Sequence, residues 1–407
     1  MAWGTAEPGA DALISKARGG APSLIVLPFR RFGDDECVEL CAALADNVTL
    51  LELKCSGHAL GAAGAEAVGR VLGSPSCAIR RLALGDSTFG GRGVSALLDG
   101  LGGAECRLLA LDLGLKGLVA EDASHLAALL CLCPDLHELE LGRNELMGVA
   151  AHDALAPAAP AAPPPLRALC SLDLSETGLS DGALAALVEG IEERGALPAL
   201  TTLRLSRNPE LGAPAAASTL GRAVSAAHRL RTLALASCAL RPVSARALGA
   251  ALARCSPPPS LAELDLSANP AMLADPAAEP EAEAAAEDAA EGRGGGAAAA
   301  AEAATAAALA EGLGAAPHLA SLNLGQCGLG DAAASVLGAR LAGVAEIEAR
   351  SNRLGCAGAV ALLSVRRRTL WRGGLSGPSG SARWCLGPRR ALLLRAGARA
   401  PLMIPHL

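Results

Sequence analysis

Thirteen cysteines and seven histidines are the residues of this 407-residue chain best suited to metal or nucleophilic chemistry. Cys37 and Cys41 stand four apart, and Cys131 and Cys133 two apart. A structural zinc site needs a second Cys or His pair at ligand spacing, and neither pair has one. The cysteine total is odd and MAWGTAEPGADALISK carries no apolar export core, so the expectation is reduced thiols serving as small buried hydrophobes. His58, His125, His137, His152, His228 and His318 are dispersed and read as surface or convex-face residues. GRGVSA at 91–96 spells the G-x-G-x-x-A of a dinucleotide cradle, but it falls in a strand-to-helix connection where glycine serves tight turns. No P-loop, H-E-x-x-H or G-x-S-x-G string occurs. No catalytic, cofactor-binding or metal-ligating residue is assigned, and no cofactor is expected.

Composition narrows the remaining classes. Only six residues are aromatic (Trp3, Phe29, Phe32, Phe89, Trp371 and Trp384) and the formal net charge is −6. Nucleic-acid binders that stack bases need aromatic platforms and a basic surface, and this chain has neither. No uncharged apolar run is long enough to span a bilayer. The core must be built from Leu, Ala, Val and Cys.

Those residues recur with a period. Residues 136–146 read LHELELGRNEL, or L-x-x-L-x-L-x-x-N-x-L. Residues 169–179, 230–240, 319–329 and 344–354 repeat the pattern, and looser copies begin at Val48, Ile79, Leu108, Leu200 and Leu261. A degenerate first copy spans Leu24 to Phe32. The fourth position of each copy falls at Leu27, Leu51, Leu82, Leu111, Leu139, Leu172, Leu203, Leu233, Leu264, Leu322 and Ile347. That is about eleven copies, mostly about 30 residues apart, with one double-length gap after Leu264.

Each copy predicts one strand and one helix. L-x-L puts its leucines on one strand face and the residue between them on the other. In 180–195, Leu184, Leu187, Val188 and Ile191 fall on one helical stripe, with Asp181 as the expected N-terminal cap. Such a unit buries its leucines only against its neighbours. The ninth position carries Asn144, Asn208, Asn269 and Asn352, with Cys238 and Cys327 elsewhere. An asparagine there satisfies amides where the chain leaves the strand. Lys116 departs from the pattern, and Thr177 and Ser87 are partial substitutes.

The pattern resembles the leucine-rich repeat family, in its ribonuclease-inhibitor-like class, over roughly residues 22–363. The resemblance implies an α/β solenoid, a horseshoe with a concave parallel sheet and convex helices. It implies a fold and not an activity. Residues 1–21 read as a flexible lead. AHDALAPAAPAAPPP at 151–165 reads as a Pro-rich loop. The Ala/Glu/Gly-rich stretch 275–303 reads as a low-complexity insert, with helix resuming near Ala304. Residues 364–407 hold nine arginines and no acid and read as a basic, disordered tail or a gene-model artefact.

The expected binding positions are the middle residues of L-x-L: Glu52, Asp112, Glu140, Asp173, Arg204, Asp265, Asn323 and Glu348, with Ala83 and Ala234 between them. Acids predominate, which fits a protein partner with a basic surface. Glu138, Glu263 and Glu346 add to the charge, and Arg81 and Arg350 oppose it. The resulting expectation is a cytoplasmic, non-catalytic protein-binding scaffold or regulator. The alternatives are a GTPase-activating protein of the Ran type, which rests on likeness of fold alone, and an adaptor held at anionic membrane by its basic tail.

Overall fold

The computed structural model describes residues 10–27, 31–146, 166–256, 258–273, 295–341, 343–363, 370–375 and 382–385. The chain divides into two compact units, Met1–Arg204 and Leu205–Leu407.

In the first unit the L-x-L segments form β1 (Ser23–Ile25), β2 (Glu52–Ser56), β3 (Arg81–Gly85), β4 (Ala110–Asp112), β5 (Glu138–Glu140), β6 (Ser171–Asp173) and β7 (Thr202–Arg204). Each pairs parallel with the next. Parallel neighbours need a crossover, and here helices Asp34–Leu44, Ala62–Leu72, Gly90–Leu101, Ala123–Cys131 and Asp181–Arg194 lie between strands. The second unit repeats the scheme with β8 (Thr232–Ala234), β9 (Glu263–Asp265), β10 (Ser321–Asn323) and β11 (Glu346–Glu348), again parallel. β12 (Leu370–Leu375) extends β11 in parallel, and β13 (Ala382–Cys385) returns antiparallel to it.

The leucines behave as the alternation requires. Leu111, Leu139, Leu172, Leu264 and Leu322 are all buried, as are the second leucines Leu113, Leu141, Leu174, Leu266 and Leu324. The stripe Leu184, Leu187 and Val188 is buried on its helix. Ser180, rather than Asp181, caps that helix: its hydroxyl accepts from the Ala183 N–H at 3.2 Å.

Further expectations need correction. The first two copies sit in a different register: β1 and β2 align Leu24 with Leu53, and Leu53 with Leu82. Leu27 and Leu51, taken as core markers, are exposed, and Leu24 and Leu53 are buried instead. Residues Asp11–Arg18 form a helix that buries Leu13 and Ala17, so the lead is structured over that stretch. The helix after the insert begins at Gly295, not near Ala304, because the alanine run is itself helix-forming. β12 and β13 place ten residues of the expected disordered tail in strands. His58, read as a surface or convex-face residue, is buried. The Pro-rich loop 151–165, most of the insert and the remainder of the tail lie outside the described residues.

Glycines let the helices approach closely. A Cβ on Gly69 would stand 2.3 Å from the Leu97 carbonyl oxygen, and one on Gly100 would stand 2.1 Å from that of Glu66. Gly69→Ala is expected to push the two helices apart at a cost of roughly 1–3 kcal/mol. A lowered thermal midpoint by circular dichroism checks this, and an unchanged midpoint would refute the packing. The glycines of GRGVSA were expected in a tight strand-to-helix connection, and the structure corrects this: they serve helix packing. They lie in helix Gly90–Leu101, and a Cβ on Gly93 would meet the buried Phe89 ring at 2.5 Å.

Candidate functional site

The strand face turned away from the leucines is where side chains are free to meet a partner. In the first unit the corrected register fixes the row between the leucines as Ile25, Lys54, Ala83, Asp112, Glu140, Asp173 and Arg204. Glu52 therefore leaves this row. It joins the parallel one that contains Ser23, Arg81, Ala110, Glu138, Ser171 and Thr202. The residue that the sequence reading missed is Lys54. In the second unit the row holds Ala234, Asp265, Asn323 and Glu348, as expected.

The charge pattern of the first unit changes accordingly. Three carboxylates on adjacent strands, Asp112, Glu140 and Asp173, are bracketed by Lys54 on β2 and Arg204 on β7. Adjacent strands lie about 4.8 Å apart, so the acids repel one another. Burial, followed by the charges of Asp112 and Asp173, holds the Glu140 carboxyl above the usual glutamate range. Glu52 is held below that range, first by a hydrogen bond from Lys54 and then by one from Ser23. Its Oε1 stands 2.8 Å from Lys54 Nζ, and the Ser23 hydroxyl donates to Oε2 at 2.6 Å. Arg81 and Glu138 pair at 3.5 Å.

Some of this acidity has a structural cause. Asp112 Oδ1 accepts the Gly114 N–H at 2.9 Å, and Asp173 Oδ1 accepts that of Ser175 at 2.8 Å. In the second unit Asp265 Oδ1 takes Ser267 N–H at 2.9 Å and Asn323 Oδ1 takes Gly325 N–H at 3.0 Å. A short acceptor at this position turns the chain out of the strand. Glu140 lies too far along its longer side chain for that role, and none of the three acids of the first unit forms an ion pair among the described residues. Glu348 pairs with Arg350.

Between the two rows of the first unit lies a shallow hollow of about 120 Å³. Ala83 and Ala110 are among the residues that line it. Lys54 and Arg81 stand on one side, with Asp112 and Glu140 on the other.

Behind the face, the ninth residues form a second, buried ladder. Asn144 Oδ1 accepts the N–H groups of Lys116 and Leu118, and its Nδ2 donates to the carbonyls of Leu113 and Leu141. Asn269 and Asn352 repeat these four bonds. Cys238 and Cys327 occupy the same place, and their thiols donate to the carbonyls of Leu205 and Leu266 in the preceding repeat. Burial pushes these thiols up, to about 11 at Cys238 and about 12 at Cys327. In the corrected register His58 is the ninth residue of its copy, and its Nε2 lies 3.3 Å from the Val26 carbonyl oxygen. Lys116, the departure, sends its Nζ to Ser56 Oγ at 3.3 Å, and burial lowers its pKa.

The model of the leucine-rich repeat matches residues 315–338, which hold β10, Cys327 and the start of the next helix. The neighbouring strands repeat that unit in register. Residues 315–338 match one leucine-rich repeat, and the described strand–turn–helix units on either side repeat its fold. The fold of the chain is similar to that of a leucine-rich repeat-containing protein, LegL7 from Legionella pneumophila. The identity is 17%, over 86% of this chain and 90% of that one, with a TM-score of 0.45. It is also similar to an internalin, inlF from Listeria monocytogenes, at 13% identity over 91% and 94% with a TM-score of 0.42. A third likeness is to a chain of the Rad7–Elc1 complex of yeast, at 13% identity over 86% and 84% with a TM-score of 0.35. Leucine-rich repeat arrays present extended strand faces of the kind used in protein interaction. Among the described residues, no helix is long and apolar enough to cross a membrane, and no group of three or more His, Cys, Asp or Glu is placed to hold a metal ion.

Proposed function

We propose that this leucine-rich repeat chain is a non-catalytic protein-binding scaffold of the ribonuclease-inhibitor-like class. Its first unit docks a basic segment of a partner along the Asp112–Glu140–Asp173 row. The observation that carries this reading is three carboxylates on consecutive strands, free of ion pairs among the described residues and bounded at both ends by cations. Complementary charge of this kind steers encounter and fixes register more than it adds raw affinity. Lys54 and Arg204 limit how far a basic segment extends. Asp265 and Glu348 offer a second, sparser acidic row on the other unit. The hollow lined in part by Ala83 and Ala110 gives a side chain of the partner room beside Asp112. The free cysteines among the described residues support a reducing compartment such as the cytoplasm.

The test is affinity capture from native lysate with the full chain and with Asp112→Asn, Glu140→Gln and Asp173→Asn combined. The triple variant is expected to fold normally, because the asparagines retain an acceptor for Gly114 and Ser175. It should lose most basic partners. Unchanged capture overturns the acidic-row reading. A partner's cation favours ionised Glu140, whose carboxyl is held high in the free chain. Capture by the native chain should therefore strengthen as the pH rises through the Glu140 titration, and Glu140→Gln should flatten that rise. Titration of binding from mildly acidic to neutral pH reads this directly.

A further inference from the structure

The helix-to-strand connections of two successive repeats in the first unit bring a pair of thiols together. Cys106 precedes β4 and Cys133 precedes β5. Their sulfurs lie 3.2 Å apart, and both side chains are buried. The backbones are also tied at this point, since Cys106 N–H donates to the Leu132 carbonyl at 2.8 Å. Cys131, at the end of helix Ala123–Cys131, is exposed two residues away.

We propose that Cys106 and Cys133 are an oxidation site, a dithiol that a peroxide converts to an intrachain disulfide. The contact is already sulfur to sulfur, so the bond needs little movement of either connection. The two thiols are not equivalent. The hydrogen bond from Cys133 lowers the Cys106 pKa, and that same bond, with burial, raises that of Cys133. Backbone N–H groups of Leu108 and Cys106 also face the Cys106 sulfur, so Cys106 is assigned as the attacking one. Its thiolate attacks one oxygen of hydrogen peroxide and the O–O bond breaks. The departing hydroxide takes a proton and leaves as water, and Cys106 becomes a sulfenic acid. Cys133 then attacks the Cys106 sulfur. The S–O bond breaks, the S–S bond forms, and a second water leaves with the Cys133 proton. Two thiols and one peroxide give one disulfide and two waters.

The product staples one repeat. The covalent loop encloses β4 and helix Ala123–Cys131 and leaves the Asp112 and Glu140 strands in their register. The site stands on sulfur geometry and does not depend on the docking reading. Cys37 and Cys41 differ in arrangement: they sit one turn apart on a single helix, where a bridge would close only within that turn.

The experiment uses the full chain, reduced and then freed of reductant. It is exposed to hydrogen peroxide under native conditions, alkylated with N-ethylmaleimide in guanidinium, and digested without reduction for mass spectrometry. The expected result is a peptide pair joined through Cys106 and Cys133, two hydrogens lighter than its reduced parts and separated by dithiothreitol. In Cys106→Ala, Cys133 should be recovered as the alkylated thiol. Cys133→Val should leave Cys106 without a partner and shift it toward higher oxides. Two results would overturn the proposal. One is both residues fully alkylated while exposed Cys131 and Cys356 are oxidised. The other is a linked pair formed to the same extent in guanidinium as in the native chain.

Discussion

Leu139→Asp is expected to unfold the first unit around β5. Leu139 is 1% exposed and aligns with Leu111 on one side and Leu172 on the other. The substitution forfeits the burial of a leucine, about 1.5–3 kcal/mol. It also places a carboxyl where no partner can hydrogen-bond it, at a further cost of roughly 2–7 kcal/mol. The combined penalty is on the order of 5 kcal/mol or more, comparable with the whole stability of many domains. A repeat array holds each unit largely by its neighbours, so the damage should spread to β4 and β6. Circular dichroism should show a much lower midpoint or no cooperative transition. Hydrogen exchange should show lost protection across the three strands. Leu139→Met, which conserves volume, should cost less than about 1.5 kcal/mol. A native-like melting curve for the aspartate variant would refute the strand register.

That register was legible in the sequence for most repeats, and the exceptions show what the alternation lacks. A slip of one residue exchanges the two faces of a strand, whereas a slip of two preserves them. At LLELKCS, both Leu51-Glu52-Leu53 and Leu53-Lys54-Cys55 satisfy the same pattern, and leucine counting favours the first. The structure takes the second, with Cys55 fully buried in place of the second leucine. The deciding signal was the ninth residue. Only the second register puts His58 where its ring reaches the preceding carbonyl, as an asparagine does elsewhere. The same slip moved Glu52 out of the acidic row and brought Lys54 in.

The strand positions of the candidate row were legible to the same degree. Asp112, Glu140, Asp173 and Arg204 were placed correctly by alternation alone. What alternation does not carry is the turn bond that Asp112 and Asp173 make, which separates them chemically from Glu140. The Cys106–Cys133 contact was likewise hidden. The two residues are 27 apart, and only the packing of one connection on the next shows that they meet. Asp11–Arg18 was missed because its two buried residues, Leu13 and Ala17, are too few to stand out as a stripe.

Asn144→Leu is expected to cost nearly as much as a buried charge, although it adds an apolar residue to an apolar core. Asn144 is 2% exposed, and its amide satisfies two N–H groups and two carbonyls with bonds between 2.7 and 3.1 Å. Leucine satisfies none of them. Each buried backbone group left unpaired costs about 1–3 kcal/mol, so four of them exceed what the added methyl contacts return. The array itself supplies the control. Cys238 and Cys327 stand at this position and keep one donor bond to the preceding repeat. Asn144→Cys should therefore be the milder change, with a midpoint between the native protein and Asn144→Leu. Hydrogen exchange adds a local readout, because the amides of Lys116 and Leu118 lose their acceptor in the leucine variant and should exchange faster than their neighbours. Equal melting of the two variants would mean that this position is held by volume alone, and that the asparagine ladder does not stabilise the strand-to-helix turns.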